Sequence, residues 1–555
     1  MNQNQNEENN NFLVQGSILA IASILSRVIG LVYRVPLTRI IGPVGNNYYA
    51  CAYEIYNIML IISSYSIPLA VSKVVAMHAA KKEYKNTMRV FKGSLIFASI
   101  TGSIAAAACF FGGEYFTSKL LVTPLSIIAL RILVPTLLIV AILGVFRGFF
   151  QGFGTNIPSA ISQIVEQIIN AVISVWAAYL LFRYGEIVGG VLADKEHYAA
   201  AFGAAGGTLG TTAGSFAALI FIIFLFGIYR KGVLRKKIAR DRTIKETTYG
   251  EILKILVLTI IPVLLSTTIY NVSSIIDQGV FKNMIIAKGA LEQDVELWWG
   301  IFAGEYKVLI NVPISIASAM AASCVPSLTA AFNKDDHREV RRQIKTSSHF
   351  IMMIAFPCAV GLFAFSRPIM ELLFKDTTDL AANLLKVGAI SIIFYSLSTL
   401  SNGLLQGIDK LKTPVINASI ALVVHLGFLA LLIKATNLNI YTVVLANAFY
   451  ALVMCILNQR KLRQYSGAQL NVMHTFIKPF IASVIMGGAS YGIYRLFYLV
   501  THVTIFSLIL GIFVAIIVYF VALLLIGGVT KEELYGFPKG YILVEIAERC
   551  HLLNE

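Results

Sequence analysis

Charge is what this chain has least of. Only 13% of its 555 residues are Asp, Glu, Lys or Arg, where soluble domains carry about 25%. With 57% hydrophobic residues and a mean hydropathy of +0.75, that deficit excludes a disordered chain, a nucleic-acid-binding chain and a globular enzyme of this length. The six cysteines (Cys51, Cys109, Cys324, Cys358, Cys455 and Cys550) include no CxxC pair, so neither a disulfide framework nor a zinc site is indicated. The eight histidines are scattered, and HExxH, GxSxG and GxxxxGK[ST] are all missing. Those absences remove the common hydrolase signatures and intrinsic ATP hydrolysis. No catalytic residue, metal or cofactor is expected, and the chain does not read as an enzyme. The opening MNQNQNEENNN lacks the basic region of a cleavable signal peptide, so the first apolar stretch is expected to remain as a span.

What the chain has instead is a succession of apolar runs. About 20 apolar residues cross a bilayer as a helix, and runs of that kind fall at 12–34, 47–72, 91–112, 125–146, 157–183, 198–229, 252–276, 299–325, 347–367, 382–403, 412–434, 440–460, 474–498 and 503–526. The fold class is an all-α polytopic membrane protein. Loops after even-numbered spans hold most of the basic residues: Lys81 to Lys92, Arg230 to Lys245, Lys334 to Lys345, and Arg460 to Arg463. The positive-inside rule then places both termini in the cytoplasm and the chain in a cytoplasmic membrane. The net charge of +16 reflects topology and anionic headgroups rather than nucleic acid.

The two halves resemble each other. Gly148-Phe149-Phe150-Gln151-Gly152 recurs as Gly403-Leu404-Leu405-Gln406-Gly407, and each copy precedes a proline at the start of the next span (Pro158, Pro414). Glu54 and Ser72 match Glu305 and Ser323 at one common offset. Units of six spans enter the membrane in the same direction, which predicts two parallel six-helix bundles plus two C-terminal transmembrane helices, a transporter layout. The expected segments are an N-terminal tail 1–11, an N-lobe 12–229, a basic linker 230–251, a C-lobe 252–460, a span pair 474–526 and a C-terminal tail 527–555. The glycine-rich run Gly203 to Gly214 reads as close helix packing rather than a phosphate cradle.

Ionisable residues inside spans are costly and are functional candidates by default. Arg27 and Arg34 lie two turns apart on one helix face, a spacing suited to a diphosphate ligand, although Arg34 also suits a helix-end anchor. Glu54 and Glu305, with Lys307, stand near the starts of the second and eighth spans and suit either pairing with those arginines or a shared cavity wall. Glu166, flanked by Gln163 and Gln167, reads as a cavity-lining group or a helix–helix hydrogen bond. Arg147 is expected to mark the membrane interface, and Asp277 to be a solvated charge just past the seventh span.

Ser26-Arg27-Val28-Ile29-Gly30-Leu31 with Arg39-Ile40-Ile41-Gly42 resembles the first-span signature of the MurJ/SpoVB family of lipid-linked saccharide flippases, within the MATE-like exporter superfamily. Arg147 to Gly154, Pro158, Ser162 to Ile168, Asn311-Val312-Pro313 and Val325-Pro326-Ser327-Leu328 look like the SpoVB/YtgP branch. The resemblance implies two six-helix lobes around an alternately opening cavity and a groove for a polyprenyl tail. It also implies cavity cations for a diphosphate, with Arg27 and Lys307 matching the family's basic positions. Tyr33 stands where the family has a second arginine, and Arg34 is its neighbour. The expected substrate is a polyprenyl-diphosphate-linked saccharide, lipid II in particular, handled among membrane lipids with monovalent-ion coupling. Alternatives are export of another polyprenyl-linked oligosaccharide, for polysaccharide or spore cortex, and an ion-coupled multidrug exporter.

Overall fold

The computed structural model describes residues 2–241, 243, 246–535 and 540–549. Arg242 and Lys245 of the predicted basic linker, and Cys550, lie outside that set. Every regular element among the described residues is helical. The chain divides into two compact units, Met1–Gly304 and Glu305–Glu555.

The first unit comprises α1 (Asn2–Leu60), α2 (Ile67–Ala80), α3 (Tyr84–Tyr115), α4 (Ser126–Gly152), α5 (Ile157–Val191), α6 (Lys195–Tyr229), the short α7 (Arg235–Ala239), α8 (Tyr249–Ala287) and α9 (Glu292–Ile301). The second comprises α10 (Lys307–Asn333), α11 (His337–Ala364), α12 (Ser366–Phe374), α13 (Asp379–Gly388), α14 (Ile390–Gly407), α15 (Lys412–Ala435), α16 (Tyr441–Ser466), α17 (Lys478–Thr501), α18 (Thr504–Leu525), α19 (Lys531–Tyr535) and α20 (Gly540–Arg549). Each predicted span falls on helix, to within a residue or two at its edges. Eleven helical segments among the described residues are long and apolar enough to cross a membrane, or twelve if α13 and α14, bent by 43°, form one span. The first of these, Ala22–Ala80, carries both the first and second predicted spans. They part at Gly42, whose φ of 67° interrupts the helix just before Pro43. That φ is open to glycine and strained for other residues.

Lipid offers helices little hydrophobic drive to associate, so close backbone approach through small residues has to supply the contact. Helices α5 and α6 show it best. A Cβ on Gly214 would lie 2.5 Å from the Glu166 carbonyl oxygen, and one on Gly210 would lie 2.5 Å from the Ser174 amide nitrogen. Ser174 Oγ donates to the Gly207 carbonyl at 2.8 Å, a bond this approach permits. The glycine run therefore packs helices, as its composition indicated.

The sequence repeat has a structural counterpart within each unit. Gly148 and Gly152 seat α4 on α2, where added Cβ atoms would meet Val71 at 2.9 Å and Val75 at 2.7 Å. Gly403 and Gly407 seat α14 on α10, against Ala321 at 2.7 Å and Leu328 at 2.9 Å. The same short motif thus makes the same kind of crossing in both units.

Candidate functional site

In the first unit, α5 presents a polar stripe to the first half of α1. Ser23 Oγ donates to Gln163 Oε1 at 3.4 Å, the Gly30 position lies 3.9 Å from Gln167 Oε1, and Asn170 Nδ2 donates to Tyr33 Oη at 3.3 Å. The stripe explains the amides in this apolar helix: between helices in lipid, polar side chains satisfy one another. Tyr33 is buried, and the Asn170 bond holds it against α5.

Arg34, one residue on, turns to another surface. Its guanidinium carbon sits 4.2 Å from the centroid of the Tyr49 ring, on the half of α1 beyond Gly42. Tyr49 stacks on Tyr53 at 5.4 Å, and Tyr53 meets Tyr56 edge-on at 5.5 Å, so the cation caps an aromatic ladder. Arg34 Nη1 is buried without a hydrogen-bond partner among the described residues. A guanidinium held over a ring with a donor to spare is pre-organised for an anion. Arg27 is exposed, as is Arg39. Glu54 is half-buried and accepts a hydrogen bond from Ser274 of α8.

Two expectations need correction. Arg147 is no interface marker: Nη2 donates to Glu166 Oε2 at 2.8 Å and Nε to Ser162 Oγ at 2.9 Å, with the two charged side chains 14% and 19% exposed. Ser215 Oγ of α6 completes the set by donating to Glu166 Oε1 at 2.9 Å. Glu166 thus ties α4, α5 and α6 together, the helix–helix option of its two readings. Asp277 is not a solvated helix-end charge either. It is 3% exposed, within α8, which runs on to Ala287 because the apolar residues after it still pack, Phe281 stacking on Trp299 at 5.8 Å.

A functional-looking residue escaped the sequence reading altogether. Lys282, six residues beyond the predicted seventh span, is 1% exposed. Its Nζ donates to Asn47 Oδ1 at 2.7 Å and to Thr123 Oγ1 at 2.5 Å, and it lies 6.0 Å from the Trp299 ring centroid. The signal was the apolar pattern of Gly279 to Ile285, which continues the helix past the point where charges suggested its end.

In the second unit, Glu305 is 2% exposed and its carboxyl group faces that of Asp376. Lys307, at the start of α10, is half-buried. Helices α11, α13, α14 and α17 enclose an apolar groove of about 890 Å³, lined by Phe363, Ile390, Phe480, Val484 and Tyr491, with Lys386 also on its wall. Phe363 is 56% exposed and Phe480 48%. Such a surface is predominantly apolar, with Lys386 and Tyr491 as its polar groups among the named residues.

Comparison with known proteins agrees with this architecture. Residues 13–332 match a family described as polysaccharide biosynthesis protein, and residues 307–431 match the MatE family. The chain is 24% identical over 493 residues to the lipid II flippase MurJ of Bacillus subtilis (strain 168), covering 86% of this chain and 87% of that protein. It is 22% identical over 513 residues to stage V sporulation protein B of the same organism, covering 90% and 95%. Among solved structures, an inward closed conformation of lipid II flippase MurJ superposes with a TM-score of 0.59 at 14% identity, covering 90% of this chain and 97% of that one. An inward-facing multidrug resistance MATE family transporter of the MOP superfamily gives 0.60 at 16% identity, covering 81% and 98%. These likenesses establish the two-bundle, MATE-like helical fold.

Proposed function

The chain belongs to the polysaccharide biosynthesis protein family, and from that premise we propose that it is a flippase moving a lipid-linked cell-wall precursor, of the lipid II class, across the cytoplasmic membrane by alternating access. It is a multi-pass membrane protein of the transporter type rather than one built around a catalytic centre. The observation that carries the reading is Arg34, an arginine held over Tyr49 with a buried donor left over. We assign Arg34, with Arg27 on the same helix, to the diphosphate, because guanidinium groups bind phosphate oxygens bidentately and stay charged when partly buried. Lys307 is assigned as a further diphosphate-binding cation, and Glu54 and Glu305 as acidic groups that keep the basic residues placed. The groove beside Phe363 and Phe480 suits the polyprenyl tail.

The lobes 12–229 and 252–460, the linker 230–251, the span pair 474–526 and the cytoplasmic tails 1–11 and 527–555 remain the division we propose, with orientation set by the basic loops. The energy source on this reading is the membrane potential or a monovalent-ion gradient. The test is depletion in a strain lacking other flippases, measuring lipid II accessible at the outer surface. Loss of surface lipid II is expected. Unchanged surface lipid II, with a sharp rise in drug susceptibility and a normal wall, would overturn the proposal in favour of the ion-coupled exporter that the MatE match also allows.

A further inference from the structure

Three residues far apart in sequence meet at one end of the second unit. His349 lies in α11, His474 in the π-helical turn Met473–Ile477 that leads into α17, and Glu533 in α19, beyond the last span. Their ligand atoms all lie within 4.8 Å of one another. Both imidazoles turn Nε2 toward the same carboxylate oxygen, Glu533 Oε2, at 3.4 Å from His474 and 3.8 Å from His349. The two rings are stacked, with centroids 4.1 Å apart and planes 17° from parallel.

Hydrogen bonds from nitrogen to oxygen run at about 2.7–3.2 Å, so the His349 contact at 3.8 Å is out of reach of one and the His474 contact at 3.4 Å is at best a long one. A tetrahedral zinc ion with nitrogen and oxygen ligands at about 2.0–2.2 Å holds those ligands about 3.3–3.6 Å apart, close to the two nitrogen–oxygen spacings of 3.4 and 3.8 Å. Because an imidazole lone pair lies in the ring plane, one ring must turn out of the stack for both Nε2 atoms to reach a single ion. His349 is the second, independent observation. It is 3% exposed, and neither of its ring nitrogens makes a well-formed hydrogen bond among the described residues, although the Gly528 and His474 backbones approach the ring. A buried imidazole left in that state is unfavourable, and an ion facing Nε2 would satisfy it.

The elements that carry the three residues are fixed by other bonds. Thr530 and Glu533 cap α19 reciprocally, with the Thr530 amide donating to Glu533 Oε2 at 2.9 Å and the Glu533 amide donating to Thr530 Oγ1 at 3.3 Å. Lys478 Nζ donates to the Gly527 carbonyl at 2.7 Å, holding the chain before α19 against the start of α17.

We propose that His349, His474 and Glu533 form a binding site for one divalent transition-metal ion of the zinc class, with a fourth position open to water, and that the ion clasps the segment after the last span to α11 and α17. Two imidazoles and one carboxylate suit zinc and disfavour magnesium or calcium, which select all-oxygen sets. On the orientation proposed above, the clasp faces the cytoplasm.

The test uses untagged full-length protein in detergent, stripped with EDTA, equilibrated with zinc chloride, dialysed and assayed by elemental analysis. One zinc per chain is expected in the unmodified protein and none in His474→Gln or Glu533→Gln. Those two side chains are each about a quarter exposed, 24% and 22%, so these variants are expected to fold, which a thermal melt by circular dichroism checks. Trypsin cleavage after the exposed Lys531 should slow several-fold when zinc is added to the unmodified protein, and should not respond to zinc in Glu533→Gln. The proposal is overturned if reloaded protein retains no zinc, or if both variants retain as much zinc as the unmodified chain.

Discussion

Breaking the Arg147–Glu166 pair should cost far more than removing it whole. The two groups meet at 2.8 Å with side chains 14% and 19% exposed, so water screens them only partly. Charges about 4 Å apart attract by about 4 kcal/mol at an effective dielectric constant near 20, and much of that is offset by desolvation. Replacing one partner leaves the other charge stranded between helices, with an expected loss of about 3–5 kcal/mol. For Glu166→Leu the stranded group is a guanidinium keeping only the Ser162 hydroxyl at 2.9 Å, and Ser215 loses its acceptor as well. For Arg147→Met it is a carboxylate keeping only Ser215. The double variant Arg147→Met/Glu166→Leu strands no charge and should lie within about 1.5 kcal/mol of the unmodified protein, the usual cost of a volume-conserving swap.

The assay is a double-mutant cycle on purified protein in detergent, read by chemical denaturation and paired with complementation in a depletion strain. A coupling energy of about 4.5 kcal/mol or more is expected, with complementation lost in each single variant and restored in the double. Additivity of the two single effects within about 0.5 kcal/mol would refute the pairing argument. A double variant that is stable yet fails to complement would refute the structural role of Glu166 and assign it to the substrate.

Arg27→Ala and Lys307→Ala should each abolish complementation while the protein accumulates normally, since each removes a charge-assisted bond worth about 1.5–3 kcal/mol; Arg27→Lys should keep part of the function because the charge survives without the fork. Immunoblotting beside complementation decides, and full complementation by Arg27→Ala would remove that residue from the site. Gly210→Val should lower stability by about 1–3 kcal/mol or more, seen as a lower melting temperature, because its Cβ would already lie 2.5 Å from the Ser174 amide nitrogen. Between α2 and α3, the His78 ring and then Asn86 hold the Glu83 carboxyl below its ordinary 4.5. A carboxylate with a lowered folded-state pKa stabilises above the unfolded value and loses that contribution as the pH falls through the folded one. The melting-temperature gap between unmodified protein and Glu83→Gln should therefore be constant near neutrality and close below about pH 4.5, and a gap independent of pH would contradict this.

The spans were legible because length and hydropathy are read along the chain, and those are the properties a bilayer selects. The glycine motifs were legible for a related reason: Gly148 with Gly152 and Gly403 with Gly407 mark close crossings, and only small residues allow them. Charge was read less well. Arg147 and Asp277 were placed by their position relative to span ends, on the rule that charge near an end is solvated. That rule fails when a neighbouring helix supplies the partner, as Glu166 does for Arg147.

Lys282 shows the same failure from the other side. Its acceptors, Asn47 and Thr123, stand far from it in sequence, on α1 and in the segment before α4. No spacing along α8 announces such an arrangement. A charge inside lipid is tolerated only where other elements satisfy it, so its role is a property of the tertiary neighbourhood and not of the segment that carries it. The one-residue difference between Tyr33 and Arg34 follows the same logic. A step of about 100° round the helix sends Tyr33 to Asn170 of α5 and Arg34 to Tyr49 beyond the Gly42 break. The break itself brings that aromatic ladder within reach of the guanidinium, since a straight helix would carry Tyr49 about 22 Å along the axis from Arg34 at 1.5 Å per residue.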